Sequence, residues 1–582
     1  MKEQIIDLIK KAVMEIGVKE GEIPAFTLEH PDIMSQGDLA TNVALMLAKP
    51  LKKSPVMVAK EITDKLNQNK TADIIKIEVA GPGFINLYLS DKYFVSEVGE
   101  ILKNSAKYGQ NNILQGQRTI IDYTDPNPFK DFHIGHLMSN TVGETLARIM
   151  AANGAVVAKA NYQGDVGIHV AKAVWGAFKM LIDKPETKKD FYGSWFGLGK
   201  NPKIWGQAYA LGANAFEENE LAKKEITDLN KKVYDRTDNK VNKLYDIGRQ
   251  VSLQEFEKIY KILGTKFDYY FFESEVGDIG QKIVEKGFKT GIFEKSDGAV
   301  VFHGEKYNPL LHTRVFINSQ GLPTYETKEL GLTQEKYNRF PYDKAVAVTG
   351  NEINDYYKVI LAAASLVMPE LAKKMVHIGH GMLRLPSGKM SSRTGKVITG
   401  EYLLNEIKNN ILEKMKDRQM SPAKKGEVAE IVSIGALKYS ILKQEAGKDI
   451  IFDFDKSLSF EGDSGPYLQY SYVRAKSVLE KAGKEGVKPK LNSAQNISIG
   501  ELPKLLIRFP EIVERAGKEY APHYLATYLI QLAGAFSTFY AQETLVDKND
   551  VNSPYKVALT EAFSIVIKNG LDLLGIKVPE KM

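Results

Sequence analysis

A β-rich run, TIIDYT at 119–124, is stopped by Asp125-Pro126-Asn127-Pro128, and a helical pattern opens near Gly135. Val142, Leu146 and Ile149 form that helix's apolar stripe, Gly154 suits its C-terminal cap, and AVVAKANY at 155–162 reads as the next strand. Strand, helix and strand at this spacing make a βαβ unit. The segment therefore commits this part of the chain to a parallel sheet covered by helices.

The entrance to the helix is His133-Ile134-Gly135-His136. Unpaired N–H groups and the positive end of the helix dipole favour an anion there. Two imidazoles donating to a phosphate would add electrostatic stabilisation as negative charge develops. Gly135 leaves room for a nucleotide to approach the backbone. Far downstream, LRLPSGKMSSRTGKV is rich in Gly and Ser and carries Lys389, Arg393 and Lys396, as a basic loop closing on a triphosphate would. It is not a Walker loop, because its Gly to Gly-Lys spacing is too long. In this order the two segments point to a nucleotidyl-transferring enzyme.

The rest of the chain divides by pattern. Residues 1–110 read as a small α+β unit, opening on a helix with Ile5, Ile9, Val13 and Ile16 along one stripe. Residues 111–405 hold the sheet signals, interrupted at about 180–275 by charged helical sequence, read as an insertion with a solvated face. GAVVFHG, TRVFIN and KAVAVTG resume the sheet signals, and residues 406–582 are helical throughout. With 78 basic and 72 acidic side chains the net charge of +6 permits an RNA partner through local patches without requiring one. The absence of Cys excludes disulfides and Cys-based zinc sites and favours an intracellular compartment. No apolar stretch is long enough to span a bilayer.

The two signatures together resemble those of class I aminoacyl-tRNA synthetases, and longer stretches narrow the resemblance to arginyl-tRNA synthetases. DPNPFKDFHIGHL and NYQGDVG resemble that family's catalytic segments. SFEGDSGPYLQYSYVRA and the closing LLGIKVPEKM look like its helical C-terminal domain, and GDLATNVALMLAK and VAGPGFINLYL like its N-terminal domain. The resemblance covers nearly the whole chain. It implies a Rossmann-like catalytic domain at 111–405, a tRNA-binding α+β domain at 1–110 and an all-α anticodon-binding domain at 406–582. It also implies L-arginine, ATP with Mg2+, and tRNA(Arg) as ligands. No zinc and no membrane partner are expected, and the enzyme is expected to be a cytoplasmic monomer. Two rivals are a class I synthetase for another amino acid and a catalytically silent tRNA-binding paralogue.

By resemblance, His133, His136 and Lys389 serve catalysis, with Gly135, Ser391 and Arg393 at ATP. Ser392 stands where the family usually has a lysine, and Lys130, just before the histidines, is expected to compensate. Met138 replaces a usual arginine. Asp122, Asn127, Tyr325 and Glu329 match the positions that hold arginine. The usual Glu is the shorter Asp122 here, and the usual Asp is the longer Glu329, so negative charge is kept at both. A guanidinium asks for carboxylates in fork geometry. For RNA, Phe84 and Asn86 share a strand face, a ring and an amide suited to an unpaired base. Tyr467, Gln469, Arg474 and Tyr540 are the matching candidates in the helical domain.

Overall fold

The computed structural model describes residues 2–31, 33–182, 201–385, 399–491 and 500–582. Its contacts divide the chain into two units. One comprises Met1–Gly109, Ser471–Glu511 and Gln531–Asn569; the other comprises Gln110–Tyr470, Ile512–Ile530 and Gly570–Met582.

In the first unit, a four-stranded antiparallel sheet runs in the order Leu28–Glu29, Leu39–Thr41, Phe84–Leu89, Ile74–Ala80. The helix Lys2–Glu15 buries Ile5, Ile9 and Val13, with Ile16 packed at the edge of the same core. Gly81 and Gly83 turn the last two strands with φ of 52° and 132°. A Cβ at Gly83 would also meet Pro55 Cβ at 2.7 Å, so both conformation and space hold glycine there.

The second unit is built on a five-stranded, wholly parallel sheet: β1 (Arg118–Asp122), β2 (Val156–Gln163), β3 (Tyr269–Phe272), β4 (Lys344–Gly350) and β5 (Met375–His380). Their order, β3-β2-β1-β4-β5, reverses direction between β1 and β4. The crevice outside the carboxyl ends of the strands at such a reversal is where open α/β sheets bind ligands.

Three differences from the sequence pattern have physical reasons. Strand β1 ends at Asp122 rather than 124, because Thr124 and Asp125 take left-handed φ of 80° and 46° and turn the chain away. β3 lies inside the stretch read as insertion; its run of rings hid a short strand at the sheet's edge. The charged helices before it, Pro202–Glu218, Glu220–Asp235 and Asn239–Leu263, bury Trp205, Ile226, Leu229, Val233 and Leu244 in a core shared with Phe129, Val166 and the helix Ile168–Ile182. GAVVFHG and TRVFIN do not join the parallel sheet. They form a separate antiparallel sheet with Glu294–Ser296, and only KAVAVTG supplies a central strand, β4. Among the described residues, no helix is long and apolar enough to cross a membrane.

The helix α1 (Ile134–Ala152) packs across β1 with Leu137, Met138, Val142, Leu146 and Met150 buried. Met138 is thus a core residue. A Cβ at Gly143 would lie 2.3 Å from Tyr123 Cγ, so the bare helix surface sets how closely α1 approaches the chain leaving β1. Tyr123 is fully buried, and its hydroxyl donates to Glu144 Oε2 at 2.6 Å. Gly143→Ala would gain about 1 kcal/mol in an open helix. Here overpacking against Tyr123 should reverse that to a net loss of about 1–3 kcal/mol, read as a lower urea midpoint at unchanged slope.

Candidate active site

A cavity of about 330 Å³ opens at the strand-order reversal. Asp122, Thr124, Asp125 and Asn127 line it from the end of β1 and the loop beyond. His133, Gly135, His136 and Ser139 line it from the start of α1, and Val348 to Gly350 and His380 from the ends of β4 and β5. The helix α2 (Tyr325–Arg339) contributes Tyr325 and Glu329 to one wall.

The two histidines cap the helix that carries them. His133 is the N-cap: its Nδ1 accepts the Gly135 N–H at 3.1 Å, while its own N–H donates to His136 Nδ1 at 3.1 Å. This is a reciprocal capping box made of imidazoles, and the rings stack with centroids 3.6 Å apart. Because each Nδ1 accepts a backbone N–H, each neutral ring must carry its proton on Nε2. Burial first, then the positive charge of Lys130, lowers the His133 pKa. Burial, then His133 and Lys130, lowers that of His136 well below the ordinary histidine value. The pair is therefore neutral at pH 7, with two Nε2–H donors. Gly135 serves this arrangement: a Cβ there would stand 3.0 Å from His133 Cε1, where the ring folds back over the helix start. The room left by this glycine is thus taken on one side by the histidine ring.

The cavity's other character is acidic. Lys336 donates to Asp122 Oδ1 at 2.6 Å, with both residues buried, so the carboxylate expected to receive substrate already has a cation. Burial disfavours the Lys336 ammonium, but Asp122, with Tyr342 and Glu329 adding to it, outweighs burial and holds that pKa above the ordinary lysine value. Lys328 similarly donates to Glu273 Oε2 at 2.6 Å. Among the described residues, neither Asp125 nor Glu329 has a cation within ion-pair distance. Burial, with Asp122 adding repulsion against a partial offset from Lys336, pushes Glu329 up to about 8. Burial and Asp122 likewise push Asp125 well above the carboxylate range. Asp125 Oδ1 accepts the Tyr162 N–H at 2.8 Å and Asn127 Oδ1 accepts the Gly164 N–H at 3.1 Å, pinning the loop to the end of β2. The Tyr162 hydroxyl is buried and unpartnered among the described residues.

The remaining expected residues fall in several places. Lys130 lines a neighbouring cavity of about 290 Å³ rather than this one, its ammonium 5.3 Å from the centroid of the Tyr209 ring. Its field still reaches both histidines. Lys389, Ser391, Ser392 and Arg393 lie outside the described residues. Phe84 is 38% exposed, whereas Asn86 on the same strand is 5% exposed. Arg474 and Tyr540 come together, the guanidinium 5.1 Å from the ring centroid and Tyr540 exposed. Tyr467 is half-buried in the first turns of Gly465–Glu485. Gln469 departs from the expectation of an RNA contact. It is fully buried and donates to the carbonyls of Ile431 at 3.2 Å and Lys577 at 2.7 Å, an internal strut. Lys336, Asp125 and His380 escaped the sequence reading. A lysine in an amphipathic helix carries no sign of a buried partner, and Asp125 read as a strand terminator. His380 sits at the carboxyl end of β5, where open α/β sheets place ligand-facing groups, and its position would have shown only with the strand order known.

Comparison with known proteins agrees with this architecture. Residues 97–454 match the model of class I tRNA synthetases (R), catalytic domain. Residues 3–89 match the arginyl tRNA synthetase N terminal domain, and residues 468–582 the DALR anticodon binding domain. The arginine–tRNA ligase of Borrelia hermsii is 30% identical over 596 aligned residues, covering 100% of this chain and 99% of the relative. That of Clostridium acetobutylicum is 32% identical, covering 95% and 96%. In fold, the chain superposes on arginyl-tRNA synthetase of Thermus thermophilus with a TM-score of 0.75, 23% identity and full coverage of both chains. For the Plasmodium falciparum enzyme the TM-score is 0.78 at 18% identity, covering 100% and 99%. A catalytic-domain match over more than half the chain, with relatives spanning its full length, makes this chain a member of the arginyl-tRNA synthetase family of class I.

Proposed function

We propose that this enzyme is an arginine–tRNA ligase working in the cytoplasm. Arginine's α-carboxylate attacks the α-phosphorus of ATP; a P–O bond forms to the carboxylate and the bond to pyrophosphate breaks. The terminal ribose hydroxyl of tRNA(Arg) then attacks the acyl carbon of the adenylate, and AMP leaves. The observation that carries the reading is the pair of neutral imidazoles, held as Nε2–H donors at a helix N-terminus beside an acid-lined cavity. Donors fixed before reaction stabilise charge that develops on the phosphate without a reorganisation cost. Tyr325 and Glu329 hold the amino acid in the acidic wall, and Asn127 braces the loop between that wall and the histidines. Lys130 and Lys389 supply positive charge near the leaving pyrophosphate. Mg2+ accompanies the triphosphate and neutralises part of its charge. Among the described residues no group of three His, Asp or Glu side chains is placed to hold it. The exposed Phe84 and the Arg474–Tyr540 pair are the proposed contacts with unpaired tRNA bases. Charging assays with each amino acid and its tRNA test the reading: arginine alone should be attached, and attachment of another amino acid would overturn it.

Two predictions follow from the chemistry of the cavity. His136→Ala should slow arginine-dependent pyrophosphate exchange by about 10²–10³-fold while leaving arginine binding within about twofold, as loss of a donor used only as charge develops requires. The second concerns pH. Glu329, facing Asp122, Asp125, Lys336, Glu273, Tyr325 and Tyr357, is pushed up to about 8. Cationic arginine prefers the ionised carboxylate, so binding must release a proton. Affinity should therefore rise by up to about tenfold per pH unit from pH 6 to 8 and level off above. Glu329→Gln should raise the arginine KM far more than the ATP KM and flatten this slope; titration calorimetry across pH reads both.

A further inference from the structure

The cavity holds more acid than the resemblance accounts for. Asp122, Asp125, Glu273, Glu329 and Glu352 all line it, and two lysines answer two of them, Lys336 on Asp122 and Lys328 on Glu273. A substrate cation approaching Asp122 must displace an ammonium held at 2.6 Å in a buried pair, and breaking such a pair leaves a buried charge uncompensated. Asp125 asks for nothing to be displaced. Among the described residues its Oδ2 has no hydrogen bond and no cation lies within ion-pair distance, while Oδ1 is fixed by the Tyr162 N–H.

The backbone aims this side chain deliberately. Thr124 and Asp125 are consecutive non-glycine residues with left-handed φ, a conformation that L-residues adopt at a cost and that clusters at binding sites. Thr124 is held on both sides, its N–H donating to Ser139 Oγ at 2.9 Å and its Oγ1 accepting from Asn140 Nδ2 at 2.9 Å. The turn thereby carries Asp125 off the strand line and onto the end of β2, in the cavity wall between the amino-acid pocket and the histidine-bearing helix. Anchoring the loop alone does not call for a carboxylate. An asparagine would accept the same Tyr162 N–H without repelling Asp122. A carboxyl group kept where its ionised form is repelled and unpaired makes sense if a cation arrives.

We infer that Asp125, rather than Asp122, is the carboxylate that works with Glu329 in recognising the positive charge of the amino acid, with Asp122 serving to neutralise Lys336. The inference rests on arginine being the substrate. The shared chemistry is a substrate cation, and arginine offers two, its guanidinium and its α-ammonium group.

The test is arginine-dependent pyrophosphate exchange by the full chain in the presence of tRNA(Arg), comparing wild type with Asp125→Asn. The amide preserves shape and the Tyr162 contact; Asp125→Ser, neutral and smaller, stands in if the amide does not fold. Both variants should raise the arginine KM on the order of 100-fold, as loss of a buried charge-assisted contact does, with the ATP KM changed less than about twofold. Argininic acid, which has a hydroxyl in place of the α-ammonium group, serves as a competitive probe of the same variants. A loss of its binding parallel to that of arginine puts Asp125 on the guanidinium; a loss for arginine alone puts it on the α-ammonium group. An arginine KM within about threefold of wild type in the folded variants overturns the inference and leaves the arginine reading standing. A wild-type enzyme that exchanges pyrophosphate with a different amino acid defeats the reading itself.

Discussion

Everything chemical in this structure depends on one local exchange of hydrogen bonds at the start of α1. Helix N-termini leave backbone N–H groups without partners, and most proteins answer with Ser, Thr, Asp or Asn. Here two imidazoles answer, each Nδ1 taking a backbone N–H. The cap fixes the ring positions, the tautomer and the direction of the remaining donors at once. Fold and proposed function thus draw on the same contacts: the groups that begin the helix are those proposed to meet the phosphate. Burial completes the arrangement by keeping both rings neutral, so they stay donors without presenting fixed positive charge to one another across the 3.6 Å stack.

The sheet supplies the other half. Strand order reverses beside β1, and the loop beyond it is held open by left-handed Thr124 and Asp125. That loop faces α2, whose Tyr325, Glu329 and Lys336 reach the cavity or its wall. The cavity therefore sets the two histidine donors beside carboxyl groups: Asp122, Asp125, Glu273 and Glu329 on the side of α2, and Glu352 toward the histidines. An α-amino acid with a cationic side chain and a nucleoside triphosphate present the complementary charges. Lys336 tunes this by removing one acid from play, so that the cavity does not carry more negative charge than its ligand can satisfy.

Much of this was legible in the sequence. The βαβ core and the histidine-led helix follow from periodicity and the signature segments, and the resemblance picked out Asp122 and Glu329, which line the same cavity. What was hidden depends on contacts far apart in the chain. Lys336 and Asp122 are separated by more than 200 residues and meet only once the fold brings Lys336 of α2 to the end of β1. Gln469 looked like a polar group free for RNA because a helix pattern of rings and amides does not reveal which side faces inward; its amide in fact spans two main-chain carbonyls. β3 was lost among charged helices because four aromatic residues at a sheet edge lack the alternation that marks a half-buried strand. Asp125 was read for what it ends rather than for what it faces.

The central claim is that His133 and His136 stand neutral with their protons on Nε2. Nitrogen-15 spectra of histidine-labelled enzyme at pH 7, assigned by comparison with His133→Asn and His136→Asn, report tautomer and charge directly. The account predicts two neutral rings, each protonated at Nε2 and unprotonated at Nδ1. An imidazolium at either position, or a proton on Nδ1, would contradict it.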